Sequence, residues 1–137
     1  MERNYKLIAI SEPYYNSGQG GVHLYDLDGS SYMTITPSDQ SSGDYENFGN
    51  SVAMDHGKII VGSPADDTPN TNQGSAYIFD RFGIQLKKLV ASDGSSNDLF
   101  GTSVVLITSS LSSTEKKATR TQCVSHCWMF SFLSISS

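Results

Sequence analysis

The stretch Phe48-Gly49-Asn50-Ser51-Val52 returns as Phe100-Gly101-Thr102-Ser103-Val104, with the two phenylalanines 52 positions apart. A period of that size is too short for a domain. It suits a supersecondary unit that buries its faces against its neighbours. Other anchors recur in the same order: Lys6-Leu7-Ile8-Ala9-Ile10-Ser11 answers Lys58-Ile59-Ile60-Val61-Gly62-Ser63, and Gly20-Gly21-Val22-His23-Leu24-Tyr25-Asp26 answers Gly74-Ser75-Ala76-Tyr77-Ile78-Phe79-Asp80. Pro37-Ser38-Asp39 answers Ala91-Ser92-Asp93. The offset drifts because loop lengths differ, with six residues between Pro13 and Gly20 but nine between Pro64 and Gly74, and length variation belongs in loops.

Each anchor reads as a short strand bounded by turn residues. Strands are predicted near 6–10, 21–26, 31–36, 48–54, 58–63, 75–80, 85–91 and 100–106. The middle unit supplies four, called here A (48–54), B (58–63), C (75–80) and D (85–91). Strand B holds the apolar run Ile59-Ile60-Val61, as expected of an inner strand covered on both faces. Asp55-His56-Gly57 suits a tight A–B hairpin, because glycine accepts positive φ. Four antiparallel strands per unit make a propeller blade. The expected fold class is therefore all-β, built of antiparallel β-propeller blades.

These residues resemble the FG-GAP repeats that form the seven-bladed propeller of integrin alpha subunits and of many secreted or surface proteins. The likeness rests on Phe48-Gly49-Asn50-Ser51-Val52-Ala53, on Val61-Gly62-Ser63-Pro64 with Ser63 in place of the usual alanine, and on Gly74-Ser75-Ala76-Tyr77-Ile78-Phe79-Asp80. It covers roughly residues 5–107. It is specific for fold and weak for function, since propellers host unrelated activities.

The organisation read from the repeat is a partial first blade over 1–47 (strands B, C and D), a complete blade over 48–92, a linker with the first strand of a third blade over 93–107, and a divergent tail over 108–137. That is about two blades, an incomplete ring, so the sequence reads as a fragment, a truncated gene product or a piece that joins further blades or other copies of itself. After Leu106 the pattern is lost. Six Lys and Arg against thirteen Asp and Glu precede residue 115, whereas three and one occur from Glu115 onward. Both cysteines and the single tryptophan lie in the same tail. A shifted reading frame and a divergent appendage would each produce that change.

Composition narrows the function classes. The net charge of −5 argues against nucleic acid, which requires a basic face. Met1-Glu2-Arg3-Asn4-Tyr5 leads straight into a strand, so no signal peptide is visible. The apolar-leaning stretch from Cys123 to Ile135 is broken by His126 and several serines and is too short to span a bilayer. Cys123, His126 and Cys127 offer three potential zinc ligands without a second pair elsewhere, a weak metal signal.

Calcium-binding integrin-type repeats are implied by the resemblance to carry an Asp-x-Asp-x-Asp-Gly loop between strands A and B. This chain has Asp55-His56-Gly57 there, and one carboxylate cannot supply the six to eight oxygens that Ca²⁺ takes. That site is not carried over. Strand alternation sends the B–C and D–A loops to one end of the blades, where Glu12, Asp39, Asp44, Glu46, Asp66, Asp67, Asp93 and Asp98 gather without a Lys or Arg in the loops. Lys6, Lys58 and Arg81 fall toward the opposite end. Two readings stay open for the acidic end: ordinary solvated turns, where Asp is favoured, or a surface focused on a cation or a basic partner. The oxygen donors best placed for a cation are Asp66, Asp67, Asn70 and Asn72. Tyr14 and Tyr15 are candidates for a recognition patch in the same loops. Phe48 and Phe100 are expected to be core anchors between blades. His23 and His56 have no Ser or Cys nucleophile arrangement beside them in the sequence and do not suggest a triad.

The function expected is a noncatalytic recognition or adhesion-type module, part of an extracellular or surface protein that binds a protein or glycan through its loop end. No cofactor is expected, with calcium at Asp66, Asp67 and Asn70 the one candidate kept open. The alternatives are an accessory propeller of a larger secreted hydrolase, or a truncated product with no independent function.

Overall fold

The computed structural model describes residues 6–39 and 46–107. The tail predictions, including Cys123, His126, Cys127 and Trp128, and the candidate Asp44 lie outside the described residues.

The described residues form two antiparallel sheets. The first holds β1 (Leu7–Glu12), β2 (Gly21–Asp26) and β3 (Ser31–Ile35) in that order. The second holds β4 (Ser51–Asp55), β5 (Lys58–Ser63), β6 (Ser75–Asp80) and β7 (Gln85–Leu89), again in chain order. These are blade strands B, C and D followed by a whole A, B, C and D.

The repeat survives at the level of backbone detail. β2 and β3 shift register between Leu24 and Tyr25, and β6 and β7 do so between Ile78 and Phe79, the equivalent place. The C–D turns also match: Asp26 N–H donates to Ser30 O, as Asp80 N–H donates to Ile84 O, both at 3.0 Å. Gly20 bridges Phe48 in parallel and Gly74 bridges Phe100 likewise. The A–B hairpin closes through His56 and Gly57 at φ 44° and 72°, the two positive values that a type I′ turn needs to match strand twist.

The core lies between the sheets. Val22, Leu24 and Ile35 from the first meet Ile59, Val61, Tyr77 and Phe79 from the second, and Phe48 fills the space between them with 0% of its surface exposed. Its ring stands edge-on to Tyr77 and Phe79 at centroid distances of 5.4 and 5.9 Å, a geometry that adds roughly 0.5–1.5 kcal/mol per pair to area burial. Gly49 follows because the chain passes so close to β2 that a Cβ there would sit 2.7 Å from Gly21 O, at φ 91°.

Two strand expectations are corrected. The strand predicted over 48–54 starts only at Ser51, since the positive φ of Gly49 keeps Phe48-Gly49-Asn50 out of the extended conformation. The strand predicted over 100–106 does not form: Phe100 makes a single bridge and residues 101–107 are turn and irregular chain. An A strand pairs with the B strand of its own blade, as β4 does with β5. No such partner follows among the described residues. The first B–C loop also contains an unanticipated one-turn helical element, Tyr15–Gly18, whose Asn16 and Ser17 take left-handed φ of 49° and 63°.

Candidate functional site

The B–C and D–A loops do emerge together. Asn97, Leu99 and Phe100 donate their backbone N–H groups to Thr71, Asn72 and Gln73 carbonyls at 2.9, 3.1 and 2.8 Å. The buried Gln73 side chain donates to Ala91 O at 3.0 Å, and Asn70 Nδ2 donates to Gln73 Oε1 at 2.6 Å and Gly94 O at 3.3 Å. At the other end the A–B and C–D turns are neighbours, with Arg81 carbons 3.7 and 3.8 Å from where a Gly57 Cβ would lie.

Asp66 organises this loop end from inside. Its carboxylate is fully buried, and it accepts hydrogen bonds from Ser75 Oγ (2.6 Å), Tyr77 OH (2.9 Å) and Thr68 N–H (2.9 Å). Lys88 Nζ stands 2.8 Å from Asp66 and 2.7 Å from Asp39, and lies over the Tyr77 ring at 5.2 Å. Burial pushes the Asp66 pKa up, but the Lys88, Ser75, Thr68 and Tyr77 donors outweigh it and hold the carboxyl below its usual range. Burial works against the Lys88 charge too, yet Asp39, Asp66 and Tyr77 raise its pKa. Tyr77 is raised chiefly by burial.

The expectation of an acidic end without basic partners is corrected by this geometry. Lys88 belongs to β7, not to a loop, and register places it beside Tyr77, from where it spans Asp66 of one blade and Asp39 of the D–A loop before it. Sequence inspection missed Lys88, Ser75, Tyr77 and Gln73. Lys88 reaches the Tyr77 face through strand register, which local pattern does not encode. Asp66, one of the candidate cation donors, has both oxygens accepting protein donors. Asn70 donates from Nδ2 to Gln73 Oε1 and Gly94 O, which fixes the orientation of its amide.

The remaining candidates are distributed as follows. Asp67 is exposed, with one oxygen accepting Asn72 N–H at 2.7 Å. Asp93 is exposed, and Asp98 accepts Ser95 N–H at 2.6 Å. Glu46 is buried, its backbone carbonyl taking Ser63 Oγ and Ala65 N–H. No group of three or more His, Cys, Asp or Glu side chains placed to hold a metal occurs among the described residues.

Tyr14 is 78% exposed at the loop tip. Tyr15 instead lies against Gly21 and stands edge-on to His23 at 5.1 Å. On the outer face of the first sheet, His23 Nε2 is 2.8 Å from Glu12 and Nδ1 is 2.9 Å from the Thr34 hydroxyl. A hydroxyl therefore does accompany His23, brought from β3 by strand pairing. Register makes this row the counterpart of the Tyr77 and Lys88 positions in the second sheet.

Residues 29–79 match the FG-GAP repeat family, a span running from the first C–D turn through β6. No curated protein matches the chain.

Proposed function

From the FG-GAP repeat carried by residues 29–79, we propose that the chain works as a noncatalytic recognition module of an extracellular or surface protein, binding a protein or glycan through its B–C and D–A loop end. The observation that carries this reading is the contrast at that end between a fixed frame and exposed side chains. Asp66, Lys88, Gln73 and the ladder from Asn97 to Phe100 immobilise the loop backbones. Asp67 and Asp93 then project from them into solvent, and Tyr14 projects from the first B–C loop, whose own turn is closed by Gly18 and Gly20 N–H groups donating to Tyr14 O and Tyr15 O. Rigid loops lose little conformational entropy on binding, and an exposed tyrosine supplies contact area with few rotatable bonds. The acidic surround selects ligands that are neutral or basic.

A glycan array and a cell-surface binding assay with the labelled full chain test this. Binding is expected to fall at least tenfold in Tyr14→Ser and in the pair Asp67→Asn with Asp93→Asn, while Lys58→Gln and Arg81→Gln at the other end leave it unchanged. Binding that depends on Lys58 or Arg81 alone, or none in either assay, would sink the reading.

A further inference from the structure

Every strand of the first sheet has a counterpart in the second, so each sheet has a front and a back that can be named by register. Ile8 pairs with Tyr25 and Ile10 with His23, as Ile59 pairs with Phe79 and Val61 with Tyr77, so pairing shifts the sequence alignment of these two strands by one residue. His23 pairs with Thr34 as Tyr77 pairs with Lys88. Ile8, Ile10, His23, Tyr25 and Thr34 thus form the front of the first sheet. Ile59, Val61, Tyr77, Phe79 and Lys88 form the front of the second.

The two fronts have different fates. In the second sheet Ile59, Val61, Tyr77 and Phe79 are buried against the back of the first sheet, with Phe48 between. In the first sheet Ile8 and Ile10 are 40% and 52% exposed, with Tyr32 exposed on the same sheet. The backs differ only in their outer layer, since Ala76 and Ile78 are themselves 2% and 5% exposed. Val22, Leu24 and Ile35 are closed over by Phe48 and β4–β7. Their counterparts Ala76, Ile78 and Leu89 have Phe100 in the role of Phe48, and Phe100 is only half-buried, with Leu99 and Val105 exposed beside it.

We propose that a second copy of this chain docks head to tail, setting the front of its β1–β3 sheet on the back of the first copy's β4–β7 sheet and closing over Phe100 as β4–β7 closes over Phe48. The partner is a second copy because the chain itself holds the complementary surface, and the contact continues the sheet-to-sheet packing already formed inside it. The two surfaces differ, so the contact is heterologous and adds copies until a ring closes or a chain grows. One element of the internal contact is missing from it. Lys88 ties the second sheet to Asp39 of the loop before it, whereas its counterpart is Thr34, facing Asp93, the counterpart of Asp39. Association therefore rests on apolar contact and lacks a charge pair.

Sedimentation velocity of the full chain over a concentration series tests this, with thermal unfolding of each variant run alongside. The wild type is expected to show mass rising in whole multiples of the chain. Ile10→Asp on the front, or Val105→Asp on the back, each stops assembly of the variant alone, and mixing the two variants restores a heterodimer through the pair of intact faces. Thr34→Lys tightens association roughly two- to fivefold at low salt by restoring the ion pair, and adding Asp93→Asn removes that gain. A monomer at every concentration means that something else covers or leaves bare the front and overturns the proposal. So does assembly that survives both Ile10→Asp and Val105→Asp, or a front-to-front dimer that only Ile10→Asp disrupts.

Discussion

At the scale of the residue, Asp66 and Lys88 decide how the loop end is built. A buried carboxylate with four donors is stable only while all of them remain, because removing one partner of a buried pair leaves an uncompensated charge. Asp66→Asn is expected to cost about 3 kcal/mol, read as a drop in denaturant midpoint at constant slope. The pH dependence follows from the direction of each shift. Asp66 is depressed in the folded state, so its contribution is present above the unfolded value near 4 and is lost as pH falls through and below it. Lys88 and Tyr77 are raised, so theirs is present below about pH 10 and fades as pH climbs further. Melting temperature against pH should therefore decline at both extremes, and Asp66→Asn should flatten the acid limb while sparing much of the alkaline one. An acid limb unchanged in that variant would assign acid sensitivity to other carboxylates. Because Asp66 is occupied, millimolar calcium should raise the melting temperature no more than sodium chloride at matched ionic strength. A calcium-specific rise that Asp67→Asn abolishes would show a cation site on the exposed side of the loop. The acidic loop end was legible in the sequence because turn residues announce themselves. The lysine that neutralises part of it was hidden in a strand, where only register reveals its neighbours.

At the scale of the element, the Phe-Gly motif does two different jobs in one chain. Both copies make the same bridge, to Gly20 and to Gly74, and both glycines take φ 91°. Asn50 Nδ2 and Ser51 Oγ of the first copy donate to Thr102 O and Gly101 O of the second, each at 2.9 Å, so successive motifs hold each other. The aromatic rings differ. Phe48 is enclosed by two sheets and Phe100 by one. Phe48→Ala is expected to cost about 3–5 kcal/mol, as fully buried phenylalanines do. Phe100→Ala should cost less, about 1–2 kcal/mol in proportion to its smaller buried area. Equal losses in urea unfolding would mean that Phe100 is covered by something beyond the described residues. Seven of the eight predicted strands were legible because repeated anchors and apolar runs mark them locally. The eighth was misread because the motif of Phe100 states only that a strand can begin, while its formation needs a B strand to pair with. Dependence on a partner distant in the chain is what local pattern does not encode.

At the scale of the whole molecule, neither sheet owns a core. Val22, Leu24 and Ile35 come from one sheet and Ile59, Val61, Tyr77 and Phe79 from the other, and Phe48 belongs to the segment between them. Links of long sequence separation cross the same boundary: Lys88 to Asp39, Ser38 N–H to Gln85 Oε1 at 3.0 Å, and the Gly20 to Phe48 bridge. In repeat proteins stability divides into a contribution intrinsic to each unit and one from the interface between units, and here the interface holds most of the fully buried apolar side chains. The two sheets should therefore open as one cooperative unit. Native-state hydrogen exchange tests this through Leu24→Ala, which opens a cavity on the first-sheet side of the core at a cost of about 2–5 kcal/mol. If opening is shared, amides of β5 and β6 lose the same protection free energy as those of β2, although the substitution lies in the other sheet. If β2 loses protection while β5 and β6 keep theirs, the second blade is stable without the first, and the interface is an accessory to it.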